Sequence, residues 1–223
     1  MHRTTLCVAT AGLLAITAMP ATAQGFQGVM QFVSYEKDSG APDTLTQMTK
    51  GSKIRIEGMG MRGGAMIMDG STRMILMPEQ KQYMLMPVIS GKADRVAEEK
   101  RNGVAVRTGK METVAGIPCE VWHYTGKDDD GKPDTGDACL AKGAGFMVNR
   151  LAGDNMAQYF SEGGAAFGEA LASGMGIMKV VSNGKVELIA IRAQASSLPD
   201  AMFAAPPDYK PLDLSKMGGM HKP

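Results

Sequence analysis

The side chains most able to do chemistry in this sequence carry sulfur, and one cluster of them lies near the end of the chain. Met217-Gly-Gly-Met220-His221 brings two thioethers and an imidazole close together. Thioether ligands favour Cu(I), so Met217, Met220 and His221 form a candidate soft-metal site. No cysteine or second histidine stands beside them, which leaves the site with few donors. Copper binding is therefore an alternative interpretation of this chain.

Methionine is unusually frequent throughout, with 20 residues in the chain, and several recur at a spacing of two. Residues two apart on a β-strand lie on the same face, so each such pair predicts a thioether-rich patch of a sheet. Such a face is either a core packed with adaptable side chains or a deformable pocket for an apolar ligand. The candidate pocket residues, which include two phenylalanines, are Met59, Met61, Met66, Met68, Met74, Met84, Met86, Phe160 and Phe167.

The cysteines at 119 and 139 are a candidate disulfide if the chain is exported, and two unrelated buried thiols otherwise. Cys119 lies in an alternating, strand-like run at 118–124, and a polar cluster at 128–136 separates it from Cys139. Direct opposition of the two cysteines in an antiparallel hairpin would centre the turn on Asp129, inside that cluster. The spacing lacks the Cys-x-x-Cys pattern of a reactive pair, so we expect a structural bond.

Groups suited to catalysis or to nucleic-acid binding are scarce. The chain has three histidines, and 24 Lys+Arg against 23 Asp+Glu give it a formal net charge of +1. A nucleic-acid surface needs concentrated positive charge, so a nucleic-acid partner is not expected. No Gly-x-Ser-x-Gly elbow accompanies His123, and the carboxylates are scattered. We therefore predict neither an enzyme nor a bound cofactor.

Residues 1–23 have the features of a secretory signal. Arg3 precedes an apolar stretch from Leu6 to Met19, and residues 21–23 read Ala-Thr-Ala, a small-x-small cleavage pattern. The apolar stretch is shorter than the roughly 20 residues of a membrane-spanning helix, so no transmembrane span is expected. The segment predicts export, most naturally to the periplasm of a Gram-negative bacterium.

The segments that must position these residues are short strand-like runs separated by Gly, Pro, Asn and Asp. Asn183-Gly184, between two β-rich runs, is the strongest two-residue hairpin signal. Many short antiparallel strands favour a sandwich, a barrel or a curved open sheet. Residues 154–173 are the principal helix candidate, with Asp154 as the N-cap and large apolar residues at helical spacing.

Five short motifs along the chain carry a family resemblance. They are Lys53-Ile-Arg-Ile-Glu57, Tyr83-Met-Leu-Met-Pro87, Gly116-Ile117-Pro118-Cys119, Leu198-Pro199-x-x-x-Phe203 and Pro207-Asp208-Tyr209. Together they resemble the exported bacterial family catalogued as domain of unknown function 4412. The resemblance implies a fold similar to the periplasmic lipoprotein carriers, a curved half-barrel with helices over its concave face. It implies no catalytic residues, because none are defined for the family.

Taken together, the sequence predicts a mainly β fold: a curved antiparallel sheet, as a half-barrel, with one principal helix over the concave face. We expect a signal peptide at 1–23, a single β-rich domain at 24–212 and a disordered Met/Gly tail at 213–223. The leading function is non-catalytic binding of an apolar group in the periplasm, with a lipid or an acylated peptide or protein as the partner. The alternatives are copper binding through methionine and a purely structural envelope protein with a filled core.

Overall fold

The structure, a computed structural model, describes the greater part of the chain between residues 25 and 212. The described ranges are 25–35, 41–58, 63–70, 72–86, 104–127, 132–145, 170–171 and 173–212. The predicted signal segment at 1–23 and the predicted tail at 213–223 therefore lie outside the described residues.

Strands account for most of the described residues. In chain order they are β1 (Gly28–Ser34), β2 (Asp43–Lys50), β3 (Lys53–Glu57), β4 (Ala65–Asp69), β5 (Thr72–Met77), β6 (Gln82–Met86), β7 (Val104–Val114), β8 (Ile117–Lys127), β9 (Pro133–Lys142), β10 (Met175–Ser182), β11 (Lys185–Ala195) and β12 (Lys210–Pro211). They form one open, curved, twelve-stranded sheet in the order β12-β6-β5-β4-β3-β2-β1-β11-β10-β9-β8-β7. Neighbours are antiparallel except β12 and β6, which are parallel. The predicted mainly β fold is confirmed.

Two-residue turns close two of the hairpins through left-handed backbone. Asn183 and Gly184 join β10 to β11 with φ values of 48° and 76°, at the turn predicted from the sequence. Ala115 and Gly116 join β7 to β8 with φ values of 50° and 79°. Two consecutive positive φ values characterise the type I′ turn, whose twist matches that of the strands it joins.

The inner face of the sheet, defined here by the side chains of Phe32 and Ile56, carries the principal core. Phe32, Ile54 and Ile56 are completely buried on β1 and β3. Alternation places every second residue of these strands on the same face, so the core runs continuously from strand to strand. It extends through β11 to β8, where Leu188 and Leu140 are also buried.

A second core lies on the outer face of β2 to β5, behind the principal core. Residues 196–209 follow β11 and pack across this face before β12 pairs with β6. Arg55 Nη1 donates a hydrogen bond to the Met202 carbonyl oxygen over 3.0 Å, which fixes the crossing segment against β3. The buried members of the second core are Met48, Ala65, Ile67, Leu76, Leu198 and Phe203.

The expected single helix over the concave face is not supported. Of its predicted span, 154–169 and 172 lie outside the described residues, and only Ala170 and Leu171 are seen as helical, buried in the principal core. The segment that the structure does show over the sheet, residues 196–209, crosses the outer face of β2 to β5. It packs there because these strands carry apolar side chains on both faces. The described residues contain no helix long and apolar enough to cross a membrane.

Cys119 and Cys139 form a disulfide, as predicted, with Cα atoms 5.3 Å apart. The residue directly opposite Cys139 is Val121, however, and not Cys119. The expected direct opposition centred on Asp129 is therefore wrong, since the bond joins diagonal neighbours on one face of β8 and β9. The twist between adjacent strands makes such a diagonal approach possible, so the disulfide alone does not determine the register.

Candidate ligand groove

A half-open groove of about 450 Å³ lies at the end of the sheet formed by β7 to β10. Its floor is largely apolar, and charged side chains stand among the lining residues. The lining residues are Arg107, Met111, Pro118, Cys119, Glu120, Leu140, Lys142, Ser173 and Met175.

Strand register brings the groove residues together. Met111 on β7 lies opposite Glu120 on β8, and Glu120 lies opposite Leu140 on β9. Cross-strand partners share a face, so these three side chains form one row across the sheet. Lys142 on β9 and Met175 on β10 are likewise partners, in the next row. The groove thus combines residues that stand far apart in the sequence.

The face on which the groove opens follows from a chain of strand partners. Phe32 on β1 pairs with Ala190 on β11. Leu188 lies two residues before Ala190, on the same face, and pairs with Val180 on β10. Val180 pairs with Ala138, Ala138 with Trp122, and Trp122 with Arg107. Each partner and each second residue along a strand share one face. Arg107 and the Met111 row therefore continue the inner face that carries the principal core.

Positive charge predominates in the lining. The Arg107 guanidinium lies over the Trp122 ring, 5.0 Å from its centroid, in cation–π geometry. Its Nε is 3.8 Å from Glu120 Oε2, which is longer than a hydrogen bond. Lys142 is exposed and makes no ion pair with any other described residue. Two cations therefore face one carboxylate within the groove.

The methionines predicted to line a pocket lie elsewhere on the sheet. Met66 and Met68 are on the inner face of β4, and Met68 is buried in the principal core. Met84 and Met86 share the same face on β6, where Met86 is 37% exposed. Met74 lies on the outer face and packs against the second core. The groove draws instead on Met111 and Met175, which belong to no pair spaced by two and so gave no such signal.

The other predicted site residues fall outside the described part of the chain. These are the pocket candidates Met59, Met61, Phe160 and Phe167 and the metal candidates Met217, Met220 and His221. Within the described ranges, no group of three or more His, Cys, Asp or Glu side chains could hold a metal ion. Copper binding by the tail therefore stays a prediction.

A His–Asp pair on the outer face was not anticipated from the sequence. His123 Nδ1 is 2.8 Å from Asp137 Oδ1, and Thr135 Oγ1 is 3.4 Å from His123 Nε2. Thr135, His123 and Asp137 are the types of residue that serve as nucleophile, base and orienting acid in a catalytic triad. The Thr135 hydroxyl donates to the Tyr124 carbonyl oxygen over 3.1 Å, so its proton is directed away from the imidazole. We assign these three residues no catalytic role.

A buried polar network braces the far ends of β8 to β11. Asp134 is only 4% exposed, and it accepts hydrogen bonds from Ser182 Oγ at 2.6 Å and Asn183 Nδ2 at 2.8 Å. Burial raises the pKa of the neighbouring Tyr124 phenol above its ordinary value, so the ring keeps its proton. Hydrogen bonds of this kind satisfy a buried carboxylate, and they hold the strands that form the groove in fixed positions.

Comparison with known proteins gives a family and no function. A family model described as a domain of unknown function, DUF4412, matches residues 26–209. No curated protein matches the chain.

Proposed function

Because this chain belongs to the family described as domain of unknown function 4412, whose description names no activity, we propose a function from the groove. The protein is an exported, non-catalytic binding protein that holds an apolar group, such as a lipid chain or the acyl chain of a peptide, between β7 and β10. The observation that carries the proposal is a 450 Å³ groove with an apolar floor. Small-molecule sites commonly have volumes of about 300–1,000 Å³.

The residues of the floor suit a ligand of variable shape. Leu140 on β9 provides a buried aliphatic base, while Met175 flanks it from the neighbouring β10 and Met111 from β7, on the far side of β8. Methionine side chains are unbranched and polarisable, so they repack around different chains at little cost. Pro118 adds further apolar surface without a backbone donor.

The energetics favour reversible binding. Burial of each methylene group stabilises a complex by about 0.8 kcal/mol, so ten of them contribute roughly 8 kcal/mol. Association costs about 4–15 kcal/mol in lost translational and rotational freedom. A single chain in a half-open groove therefore binds moderately and exchanges, which suits a carrier or a sensor.

The disulfide supports export. Disulfides persist in oxidising compartments such as the periplasm and are rare in the cytosol. The Cys119–Cys139 bond thus agrees with the secretory signal expected at 1–23. The periplasm of a Gram-negative bacterium is the compartment we propose, and lipids and acylated proteins are abundant chemical classes at its membranes.

A charge placed in the groove tests the proposal. The probe is a long-chain fatty acid labelled with a fluorophore that brightens in apolar surroundings. Met111→Asp should weaken binding of this probe about tenfold or more. A buried acyl chain would remove water from the new carboxylate, which costs free energy. A cost of about 1.4 kcal/mol already raises the dissociation constant tenfold. Fluorescence titration of the full chain gives the dissociation constants.

Val104→Asp is the matched control for this titration. Val104 lies on the same strand and is 62% exposed against 64% for Met111, but it faces the outer side opposite Thr125. Its affinity should stay within about twofold of the wild type, because the groove is untouched. Equal losses in both variants, or no binding by the wild type, would contradict the proposal and favour the structural envelope role.

A further inference from the structure

We infer that the groove selects amphiphiles with an anionic head group, which pairs with Arg107 or Lys142, the cations on either side of the floor, while the apolar chain lies on the Met111–Leu140 floor. This inference rests on the proposed function and adds the chemical class of the ligand. Its basis is that, among the described residues, two cations and one carboxylate line a groove whose floor is apolar.

Arg107 is held ready to bind an acid group. Cation–π contact with Trp122 restrains the guanidinium near the ring, so less side-chain freedom is lost when a ligand arrives. The separation of 3.8 Å from Glu120 is a loose ion pair, and 64% of the Arg107 side chain is exposed. Its donors can therefore form the short, charge-assisted bonds that a carboxylate or phosphate accepts.

Lys142 adds a second cation that the surrounding described residues leave uncompensated. The acidic residue on β7 is Glu112, and alternation with its neighbour Met111 places it on the outer face. Glu112 lies opposite Cys119 and forms an ion pair of 2.8 Å with Lys179 of β10. Counted over the described part of the chain, the groove therefore carries an excess positive charge, which an anionic head group would neutralise and a cationic one would increase.

Two kinds of amphiphile share this chemistry: a free fatty acid, with a carboxylate, and an anionic phospholipid, with a phosphate. Both place the charge at one end of an apolar chain. The guanidinium fork matches either group, so the geometry alone favours neither. A probe of each kind separates the two sources.

Competition against the fluorescent fatty acid tests the inference on the full chain. The competitors are dodecanoate, dodecyl phosphate, dodecanol and dodecyltrimethylammonium, which share one chain and differ in head group. One or both anions should displace the probe at about tenfold lower concentration than the alcohol, and the cation should be weakest. The anion that competes better identifies carboxylate or phosphate as the preferred group.

Three variants locate the selectivity. Arg107→Gln, Lys142→Gln or both should lower the anion-to-alcohol preference severalfold, because removal of the cation that pairs with the head group weakens binding of the anion more than binding of the alcohol. Lys110→Gln, an exposed lysine on β7 that does not line the groove, should leave the preference intact. Equal displacement by all four head groups, or a preference that survives both groove variants, overturns this inference but not the proposed function. Failure of every amphiphile to displace or bind overturns both.

Discussion

Replacement of Phe203 by alanine should lower the free energy of unfolding by about 3–5 kcal/mol, the usual cost of removing a buried phenylalanine ring. Phe203 is 6% exposed and fills the second core beneath the segment that crosses the outer face. The ring also holds that segment in place for β12 to pair with β6. Chemical denaturation of the variant and of the wild type measures the loss, provided that the dependence of the unfolding free energy on denaturant concentration (the m-value) is the same for both.

Under conditions in which the Phe203→Ala variant remains folded, the variant should still bind the fluorescent fatty acid. Phe203 lies on the outer face of β2 to β5, whereas the groove opens on the inner face of β7 to β10. Met202→Ala, at a partly buried position in the same short helical turn, is the matched control and should cost clearly less. A loss of stability no greater than that of Met202→Ala would contradict the second core as described.

Removal of the disulfide should have a comparably large effect. The double variant Cys119→Ala/Cys139→Ala should lose about 3 kcal/mol of stability, since the bond closes a loop whose ends are separated by 20 residues. For a domain of this size that corresponds to a fall in Tm of roughly 6–12 °C. Binding should weaken as well, because the bond joins β8 and β9, which carry Glu120 and Leu140 of the groove.

Reductant provides the control for the disulfide. Addition of a thiol reductant to the wild type should reproduce the lowered Tm, whereas the double-alanine variant should not respond. Two free thiols in the oxidised wild-type protein, or a Tm that neither treatment changes, would be inconsistent with a stabilising bond.

Features that depend on local sequence were predictable. The turn at Asn183-Gly184 follows from two residues that tolerate positive φ, and the alternating run at 118–124 follows from the period of a strand. The pairing of Cys119 with Cys139 was predictable because the cysteines flank one hairpin. Their diagonal placement was not predictable. A register in which Cys139 lies opposite Val121 and one in which it lies opposite Cys119 place the same side chains on the same faces, so the sequence pattern does not distinguish them.

Features that depend on long-range pairing were not predictable. An alternating pattern shows that a strand has two faces, but it does not show which distant strand lies beside it. The groove requires Met111, Glu120 and Leu140 to align across three strands, and Met175 to reach them from a fourth. The second core likewise depends on Phe203 returning across strands more than a hundred residues earlier in the chain.

The paired methionines also show what residue spacing can and cannot predict. Their spacing of two identified a shared strand face, and Met66 and Met68 do share one. Burial was not encoded in that spacing: Met68 is in the principal core, while Met86 is partly exposed at β6. An amino-acid pattern can therefore assign a side chain to a face, but neighbouring strands decide whether that face is core or groove.

The most direct test of groove binding is covalent mapping with a long-chain fatty acid that carries a photoreactive group on its chain. After irradiation of the full-length protein and proteolysis, mass spectrometry should find the label on peptides containing Met111, Leu140 or Met175, and unlabelled fatty acid should suppress it. Label confined to the methionine-bearing strands β4 to β6, or none above the level of a denatured control, would show that β7 to β10 do not form the binding site.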